Sequence, residues 1–409
     1  MTRLIAPILF VILLMFLIDL YAFQAFKAGF RSELHWIKWG YWAVGIASMT
    51  CVLAILFIPI PLWPDALRTY IFAVILLLYL SKLFVVFFLL LEDTGRFLRW
   101  SFSFFGDEKT EGTMPDRASF FGKLTIVFGA IPLLSGIYGM VKNAYNYQLH
   151  RAQVKLPHLP KSFQGFKIVQ ISDIHSGSFT AKRPILRAIE MINREKPDIV
   201  LFTGDLVNNR ADEFLPYLEY FAQIKAKEGI YSCLGNHDYG DYYRWKDQAE
   251  KDKNMQLLQD MQRKMGWQLL LNENRIIERN GEKIAVLGVE NWSAKRFGKK
   301  GRLDLAEKGT ENIPVKLLLS HDPSHWDAQV IPKYPKIDIT FSGHTHGAQF
   351  GIEFGSFRWS PSQYIYPQWA GLYQKGQQYL YVNRGFGFLG YPGRIGILPE
   401  ITVMELHKA

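Results

Sequence analysis

The stretch Ile199-Val-Leu-Phe-Thr-Gly-Asp205 shows the pattern that decides the fold, a short apolar run that ends in a carboxylate. The same arrangement occurs four more times in the C-terminal part of the chain. The other apolar runs span residues 168–171, 230–234, 315–319 and 337–341, and the polar clusters after them are Asp173-Ile-His175, Gly235-Asn-His-Asp238, His321-Asp322 and Gly343-His-Thr-His346. Because ligands bind at the carboxyl ends of the strands in open α/β sheets, we expect all five clusters to meet along one edge.

The side chains in these clusters are of the types that bind metal ions. Aspartate, asparagine and histidine are hard and borderline ligands, and no thiolate accompanies them. Taken singly, the Asp-x-His and Gly-Asp clusters are more often turns or caps than ligands, whereas Asn-His-Asp is less frequent and His-x-His after a strand is a fair metal motif. Together they contain five of the 10 histidines of the chain, and His344 and His346 are spaced to share one face of an extended segment. The combination predicts a metal site for two ions.

The remaining pattern of the C-terminal part predicts an α/β fold. Helical patterns follow the first three clusters at residues 184–195, 214–224 and 247–265, which indicates βαβ units. Two short runs, 275–279 and 283–289, are separated by Asn280-Gly281, a strong hairpin signal. Further strands are predicted at residues 379–383 and 395–406. So many strands favour a two-sheet β-sandwich flanked by helices, spanning residues 151–409.

The N-terminal part is predicted to be an all-α transmembrane region, residues 1–150, with four helices. Its apolar blocks lie at about 4–23, 39–60, 70–91 and 120–141. Each has the ~20 residues that a helix needs to cross a hydrocarbon layer of about 30 Å. Asp19 and Lys82 lie inside the blocks. A charge within a membrane is a functional hypothesis by default, but Lys82 can also extend to the interface or pair with Asp19.

The distribution of charge restricts the classes of binding partner and predicts the orientation of the protein in the membrane. The net charge of +10 is spread thinly, with 12 Lys+Arg against 9 Asp+Glu in residues 1–150 and 35 against 28 in the rest. This distribution suits an anionic substrate or membrane surface and gives no basic groove, so no nucleic-acid partner is expected. The first block has one Lys/Arg before it and three after it. The positive-inside rule then predicts an outside N-terminus and, with four spans, an extracytoplasmic catalytic domain.

In order and wording, the five clusters resemble the calcineurin-like metallophosphoesterase family, in its membrane-associated or exported branch. The similarity extends over residues 154–406 and includes the lead-in Leu159–Gly165 and the ending Arg394–Ile401. It implies two divalent ions, of Mn, Fe, Zn or Co, and hydrolysis by attack of a metal-bridging hydroxide. The metal ligands that it implies are Asp173, His175 and His346 for one ion, Asn236, His321 and His344 for the other, and Asp205 as the bridge.

The resemblance also implies roles beyond the ligands. Asp205 and His237 are the expected catalytic residues, with His237 as general acid or charge stabiliser. The family often has a second aspartate three residues after the bridging one, where this chain has Asn208. An asparagine accepts a hydrogen bond but cannot stabilise an imidazolium by charge, so His237 would be less basic or would rely on Asp238. Asp238 and Arg394 are candidate substrate residues, with a local cap and a salt bridge as the respective alternatives.

Four spans exceed what simple anchoring requires, which favours a substrate that itself resides in the membrane. The expected function is hydrolysis of a phosphate ester or pyrophosphate, with the lipid bilayer and a phosphorylated, lipid-linked substrate as partners. One alternative is a broad-specificity phosphodiesterase acting on soluble or cell-wall substrates. A non-catalytic scaffold with the same fold, or a transporter with an attached regulatory domain, belongs to a different class of protein.

Overall fold

The computed structural model describes residues 2–29, 35–58, 63, 65–104, 115–355 and 357–409. Its contacts divide the chain into two units, Met1–Tyr138 and Gly139–Ala409. The domain boundary expected at residue 150 stays a prediction.

The N-terminal helices confirm the prediction of an all-α region. They are α1 (Thr2–Gly29), α2 (His35–Ala54), α3 (Asp65–Ser103) and α4 (Pro115–Val141). In the described part of the chain, these four helices are long and apolar enough to cross a membrane. The second helix was predicted to reach residue 60, but it ends at Ala54 and its predicted last two residues lie outside the described ranges. The third is much longer than residues 70–91.

Within this region, Asp19 on α1 and Lys82 on α3 form a buried ion pair. The hydroxyl of Tyr79 donates to Asp19 Oδ2 at 2.8 Å, and that of Tyr41 donates to the Asp19 carbonyl at 2.7 Å. A Cβ atom at position 45 would lie 2.6 Å from Asp19 Oδ2, so Gly45 lets α2 approach the carboxylate closely. The structure therefore shows Lys82 paired with Asp19. The contacts of this ion pair join the three helices α1, α2 and α3.

The strands of the second unit follow in chain order. They are β1 (Gln148–Leu156), β2 (Phe166–Ile171), β3 (Ile199–Phe202), β4 (Ile230–Ser232), β5 (Trp267–Leu269), β6 (Glu273–Arg279), β7 (Glu282–Gly288), β8 (Lys316–Leu319), β9 (Ile339–Ser342), β10 (Ile352–Phe354), β11 (Phe357–Trp359), β12 (Gly371–Lys375), β13 (Gln378–Val382) and β14 (Glu400–Lys408). The helices are α5 (Arg183–Arg194), α6 (Leu218–Phe221), α7 (Gln248–Lys264), α8 (Leu303–Ala306) and α9 (Ile331–Lys333).

In the described residues these strands form two six-stranded sheets and a separate hairpin. The first sheet has the order β1-β14-β2-β3-β4-β5, and the second has the order β12-β13-β9-β8-β7-β6. Strands β2 to β5 are parallel to one another, as are β7, β8, β9 and β13. The hairpin pairs β10 with β11.

Alternate residues of the strands face two different cores. Ile168 of β2 and Leu201 of β3 pack against Leu317 of β8 in the core between the sheets. Their neighbours Val169 and Phe202 face the other way, into a core that contains α5 and α7. A third core lies between the second sheet and the helices α8 and α9. The layers are thus helix, sheet, sheet and helix, which confirms the predicted two-sheet sandwich.

Two predicted elements differ from the structure, and one strand was not predicted. Residues 214–224 are not one α-helix, because a 3-10 helix at Ala211–Tyr217 precedes the single turn of α6, and Pro216 has no N–H for an α-helical bond. The strand predicted from residue 395 begins at Glu400, because Gly396 has φ 75° and Pro399 follows. Strand β1 was not predicted from the sequence at all.

Candidate metal centre

The five polar clusters do meet at the ends of strands. They follow β2, β3 and β4 in the first sheet and β8 and β9 in the second. Ten non-glycine residues in the described ranges have positive φ, and five of them lie in the clusters: Asp173, His175, Asp205, His344 and His346. Backbone strain of this kind concentrates at functional sites, where the surrounding structure holds a side chain in one direction.

Asp173, His175 and His346 form the first triad. Their ligand atoms all lie within 4.8 Å of one another, and His346 Nε2 is 3.2 Å from Asp173 Oδ1. His175 Nδ1 lies 3.1 Å from Asn208 Oδ1, an acceptor, so this nitrogen carries the proton. His175 Nε2 is then an unprotonated, buried nitrogen without a hydrogen-bond partner, which leaves its lone pair available to a cation.

Asp205, His321 and His344 form the second triad, again with ligand atoms within 4.8 Å. His321 Nδ1 donates to the Thr203 carbonyl at 2.7 Å, which directs Nε2 toward Asp205 Oδ2 at 3.1 Å and His344 Nδ1 at 3.2 Å. Burial alone would lower the pKa of His321, but the Asp205 and Asp173 carboxylates raise it to about 10. Burial lowers the pKa of His344 to about 4. The buried carboxylates around the second triad therefore favour positive charge at this position.

The Asp205 carboxylate faces both triads. Oδ2 lies 3.6 Å from His175 Nε2 and 3.1 Å from His321 Nε2, while Oδ1 accepts the His237 backbone N–H at 2.8 Å. Asn236 points its amide nitrogen at the Tyr242 hydroxyl, at 3.0 Å, and its buried Oδ1 has no hydrogen-bond partner. An orphaned carbonyl oxygen, an orphaned imidazole nitrogen and a shared carboxylate fit a pair of divalent cations.

His237 lines a cleft of about 330 Å³ beside the triads. Its Nδ1 lies 2.7 Å from the main-chain carbonyl of Asn208, so Nδ1 donates and Nε2 remains for chemistry. His237 thus contacts this carbonyl rather than Asp238, whose carboxylate accepts backbone N–H groups. The Asn208 amide contacts His175 instead, and a carbonyl that any residue could provide orients His237.

Asp238 and Arg394, the candidate substrate residues, are both fully buried. The Asp238 carboxylate accepts three backbone N–H groups at 2.7–2.8 Å, from Asp205, Leu206 and Gly235. Burial, together with the nearby Asp205 charge, raises the pKa of Asp238 to about 7. Arg394 donates to the carbonyls of Gly385 and Gly387, and its Nη2 is 3.4 Å from His346 Nδ1. Neither side chain has surface exposed to a substrate here.

Two further residues hold His344 and were not assigned a role from the sequence. The Tyr366 hydroxyl lies 2.9 Å from His344 Nε2, and Asp322 Oδ2 lies 3.6 Å from the same nitrogen. Because these contacts occupy Nε2, His344 directs its Nδ1 toward His321, another member of the second triad. Asp322 follows a predicted ligand directly, and that adjacency was the available signal.

Comparisons with known proteins agree with this geometry. The family model described as "Probable Calcineurin-like phosphoesterase, transmembrane domain" matches residues 3–144, and "Calcineurin-like phosphoesterase" matches residues 166–348. The second match contains all five clusters. Members of this family use divalent metals, in keeping with the two triads.

Three relatives illustrate the range of the family. "Transmembrane protein with metallophosphoesterase domain" of Danio rerio is 28% identical over 295 residues, covering 70% of this chain and 63% of that protein. "Uncharacterized metallophosphoesterase YkuE" of Bacillus subtilis is 28% identical over 69% of this chain and 95% of its own length. "UDP-2,3-diacylglucosamine pyrophosphatase LpxG" of Chlamydia trachomatis is 28% identical over 61% of this chain and 86% of its own.

The chain thus spans less than two thirds of the fish protein but most of the two bacterial ones. The fish protein and the Bacillus protein both carry metallophosphoesterase in their names. With both family models matched in order along the chain, this protein belongs to the calcineurin-like phosphoesterase family, in the form that carries a four-helix transmembrane domain before the phosphoesterase domain.

Proposed function

We propose that this protein is a membrane-anchored, dinuclear-metal phosphoesterase that hydrolyses a phosphate ester or pyrophosphate of a membrane-associated lipid. The observation that carries the proposal is the Asp205 carboxylate, which faces two histidine-containing triads at once. A carboxylate in that position reduces the repulsion between two cations only a few ångströms apart.

The residues divide between the two ions as follows. Asp173, His175 and His346 would hold one ion, Asn236, His321 and His344 the other, and Asp205 would bridge them. When bound, the two ions would neutralise charge on the phosphoryl oxygens and supply a water that ionises near neutral pH. Mn, Fe, Zn and Co all suit a donor set of imidazoles and oxygens.

The protein side chains would position the substrate and move the proton. His237 would donate a proton from Nε2 to the leaving oxygen, with Nδ1–H fixed on the Asn208 carbonyl. Asp238 would position the backbone of both the Asp205 loop and the Asn236 loop, which it joins through its three hydrogen bonds. Arg394 would position His346 from behind.

The membrane and the cleft support a lipid substrate. Among the described residues, four helices are long and apolar enough to span a bilayer, and the cleft is lined in part by the apolar side chains Phe297, Ile365 and Leu389. The Chlamydia relative is named for a nucleotide-linked diacyl sugar. An amphiphile of that general kind would place its phosphate on the ions and its chains against these apolar side chains.

Full-length protein, purified with Mn²⁺, would be assayed against soluble monoesters, soluble diesters, pyrophosphates and their lipid-linked counterparts. We expect two bound divalent ions per chain and a preference for a lipid-linked phosphate. Asp205→Asn should lose both ions and activity, whereas Asp304→Asn, a surface change on α8, should keep them. Undiminished turnover after chelation would refute metal catalysis, and a preference for soluble diesters would favour the broad-specificity alternative.

A further inference from the structure

The hairpin β10–β11 has its polar side turned inward and its apolar side turned outward. Directly paired residues share a face, and Ile352 with Trp359 and Phe354 with Phe357 form one apolar face. The opposite face carries Glu353 and Arg358. An ordinary surface hairpin places its apolar face on the core and its polar face in water.

Partly buried polar contacts, continued by a buried ion pair, fix the hairpin in this inverted orientation. Glu353 forms a salt bridge with Arg384 at 2.6 Å, and Arg384 continues to the fully buried Glu400 at 2.6 Å. Arg358 Nη1 donates to the Ala370 carbonyl at 3.1 Å. Turning the apolar face inward would break these charged contacts, so the exposure of the aromatic residues is built into the fold.

The exposed apolar surface extends beyond the hairpin. We call it the apolar rim, and it consists of Phe350, Ile352, Phe354, Phe357, Tyr364 and Ile365. Phe354 is 83% exposed and Tyr364 77% exposed, values unusual for large rings on a soluble surface. Ile365 also lines the cleft of the metal centre, so the rim continues into the mouth of the site.

A basic loop lies on another side of the same mouth. Residues 294–300 include Lys295, Arg296, Lys299 and Lys300, and every residue of this loop is exposed. Phe297 lies in the middle of the loop, lines the cleft and has its ring 4.7 Å from that of His344. The mouth therefore combines large apolar groups with a cluster of cations, as at surfaces that bind anionic membranes.

The root of the hairpin is connected to the start of the second unit. Within Gly139–Ala409, Phe350 bridges to Ile395, and the N–H of the adjoining Arg394 donates to the Gly139 carbonyl at 3.3 Å. Gly139 is also among the last residues of the candidate span Gly122–Val141. Within the second unit, the hairpin is thus connected through Ile395 and Arg394 to Gly139.

From these observations we propose that the apolar rim and the basic loop dock the mouth of the metal centre onto a bilayer that contains anionic lipids. The rim side chains enter the headgroup and acyl boundary, and the cations of the loop bind lipid phosphates. The outward apolar face of the hairpin and the basic loop at the same mouth favour a membrane over a protein partner. The candidate membrane spans of this chain also favour a membrane. Docking itself needs no turnover, so its test is independent of the proposed function.

The test uses the full-length protein in nanodiscs, one molecule per disc, with phosphatidylserine and phosphatidylcholine. In a Cys51→Ser background, with Cys233 buried and unlabelled, a nitroxide is attached at Phe354→Cys or Tyr364→Cys. Ile276→Cys is the matched control, since Ile276 is an exposed apolar residue on the outer strand β6. We expect the labels at 354 and 364 to collide with oxygen and be shielded from a water-soluble nickel complex, and the control label to be fully water-accessible.

Equal nickel accessibility at 354, 364 and 276 would overturn the proposal. The contribution of charge is tested by Arg296→Glu with Lys299→Glu, which should reduce shielding at 354 in anionic discs. Arg187→Glu with Arg194→Glu on α5 makes the same charge change elsewhere and should leave shielding unchanged. If the loop variant is shielded as strongly as the parent, the assignment of the loop to lipid headgroups is wrong.

Discussion

At the scale of single residues, the hydrogen bonds of His237 distinguish it from the metal ligands. Neither triad includes it, and its Nδ1–H is held by a main-chain carbonyl. We expect His237→Ala to lower kcat by about 10²–10⁴-fold, the usual contribution of a general acid, and to leave the metal content unchanged. Turnover with a native substrate and elemental analysis on the same sample check this. Loss of metal would instead make His237 a ligand.

Asn208 supports the centre in a different way. Its side chain accepts from His175 Nδ1, and removing such a partner costs about 10–100-fold in metal affinity. We expect Asn208→Ala to weaken the first ion by this amount, measured by competition with a chelator. Because the carbonyl that holds His237 belongs to the main chain, the pH profile of kcat should keep its shape. A shifted profile with normal metal affinity would contradict this assignment.

The sequence predicted which side chains come together but not all of their supports. Asp, His and Asn after apolar runs indicate ligands because residue type and strand position together restrict their chemistry. The support of His237 left no trace in the sequence, since a main-chain carbonyl is the same in every residue. Likewise, the sequence around Asp238 does not indicate that its carboxylate accepts three backbone N–H groups from two loops.

At the scale of elements, the buried pair of Asp19 and Lys82 ties α1 to α3. Lys82→Met would leave the carboxylate buried without its partner, which costs about 3–5 kcal/mol. The double variant Asp19→Asn with Lys82→Met removes both charges and should regain most of that stability. Thermal unfolding in one detergent compares the three proteins. Equal losses in the single and double variants would show that the charge pairing is not what stabilises these helices.

The buried side chain of His325 makes the stability of the second unit depend on pH. Its ring nitrogens lie 2.8 Å from Ser320 Oγ and from Gln329 Oε1, and burial lowers its pKa from 6.5 to about 4. The pKa of His325 is lower in the folded protein than in the unfolded chain. Its contribution to the free energy of unfolding is therefore fully present above pH 6.5 and is lost as the pH falls toward 4. The loss is about 1.4 kcal/mol per pH unit within that window. Unfolding of His325→Gln at pH 7, 6 and 5 should depend less on pH than that of the parent, and parallel curves would contradict the coupling.

Among the elements, predictions succeeded where burial was uniform and failed where it was not. Strands β2, β3, β8 and β9 are completely or almost completely buried, so their apolar runs identified them. Strand β1 has mostly half-exposed and exposed positions and pairs with β14, about 250 residues away, so no local pattern marks it. The hairpin β10–β11 was missed for a related reason, since its apolar residues face outward.

At the scale of the whole molecule, the side of the membrane that carries the metal centre decides which substrates it meets. The charge around the first helix predicts an extracytoplasmic centre. A reporter that is active only in the cytoplasm, fused after Ala409, should therefore be silent, while a periplasmic reporter at the same position should be active. The reverse result would place the site with cytoplasmic nucleotide-linked lipids and overturn the predicted orientation.

The position of β14 has a consequence for biosynthesis. This strand lies between β1 and β2, which are made more than 200 residues earlier, and pairs with both. Until β14 emerges from the ribosome, the first sheet has a gap between β1 and β2. The facing edges of these two strands then lack their partner, and unpaired strand edges are the places where chains mispair and aggregate. Loss of the residues from Glu400 onward would keep all five clusters in the chain, but it would remove the partner strand of β1 and the carboxylate that pairs with Arg384.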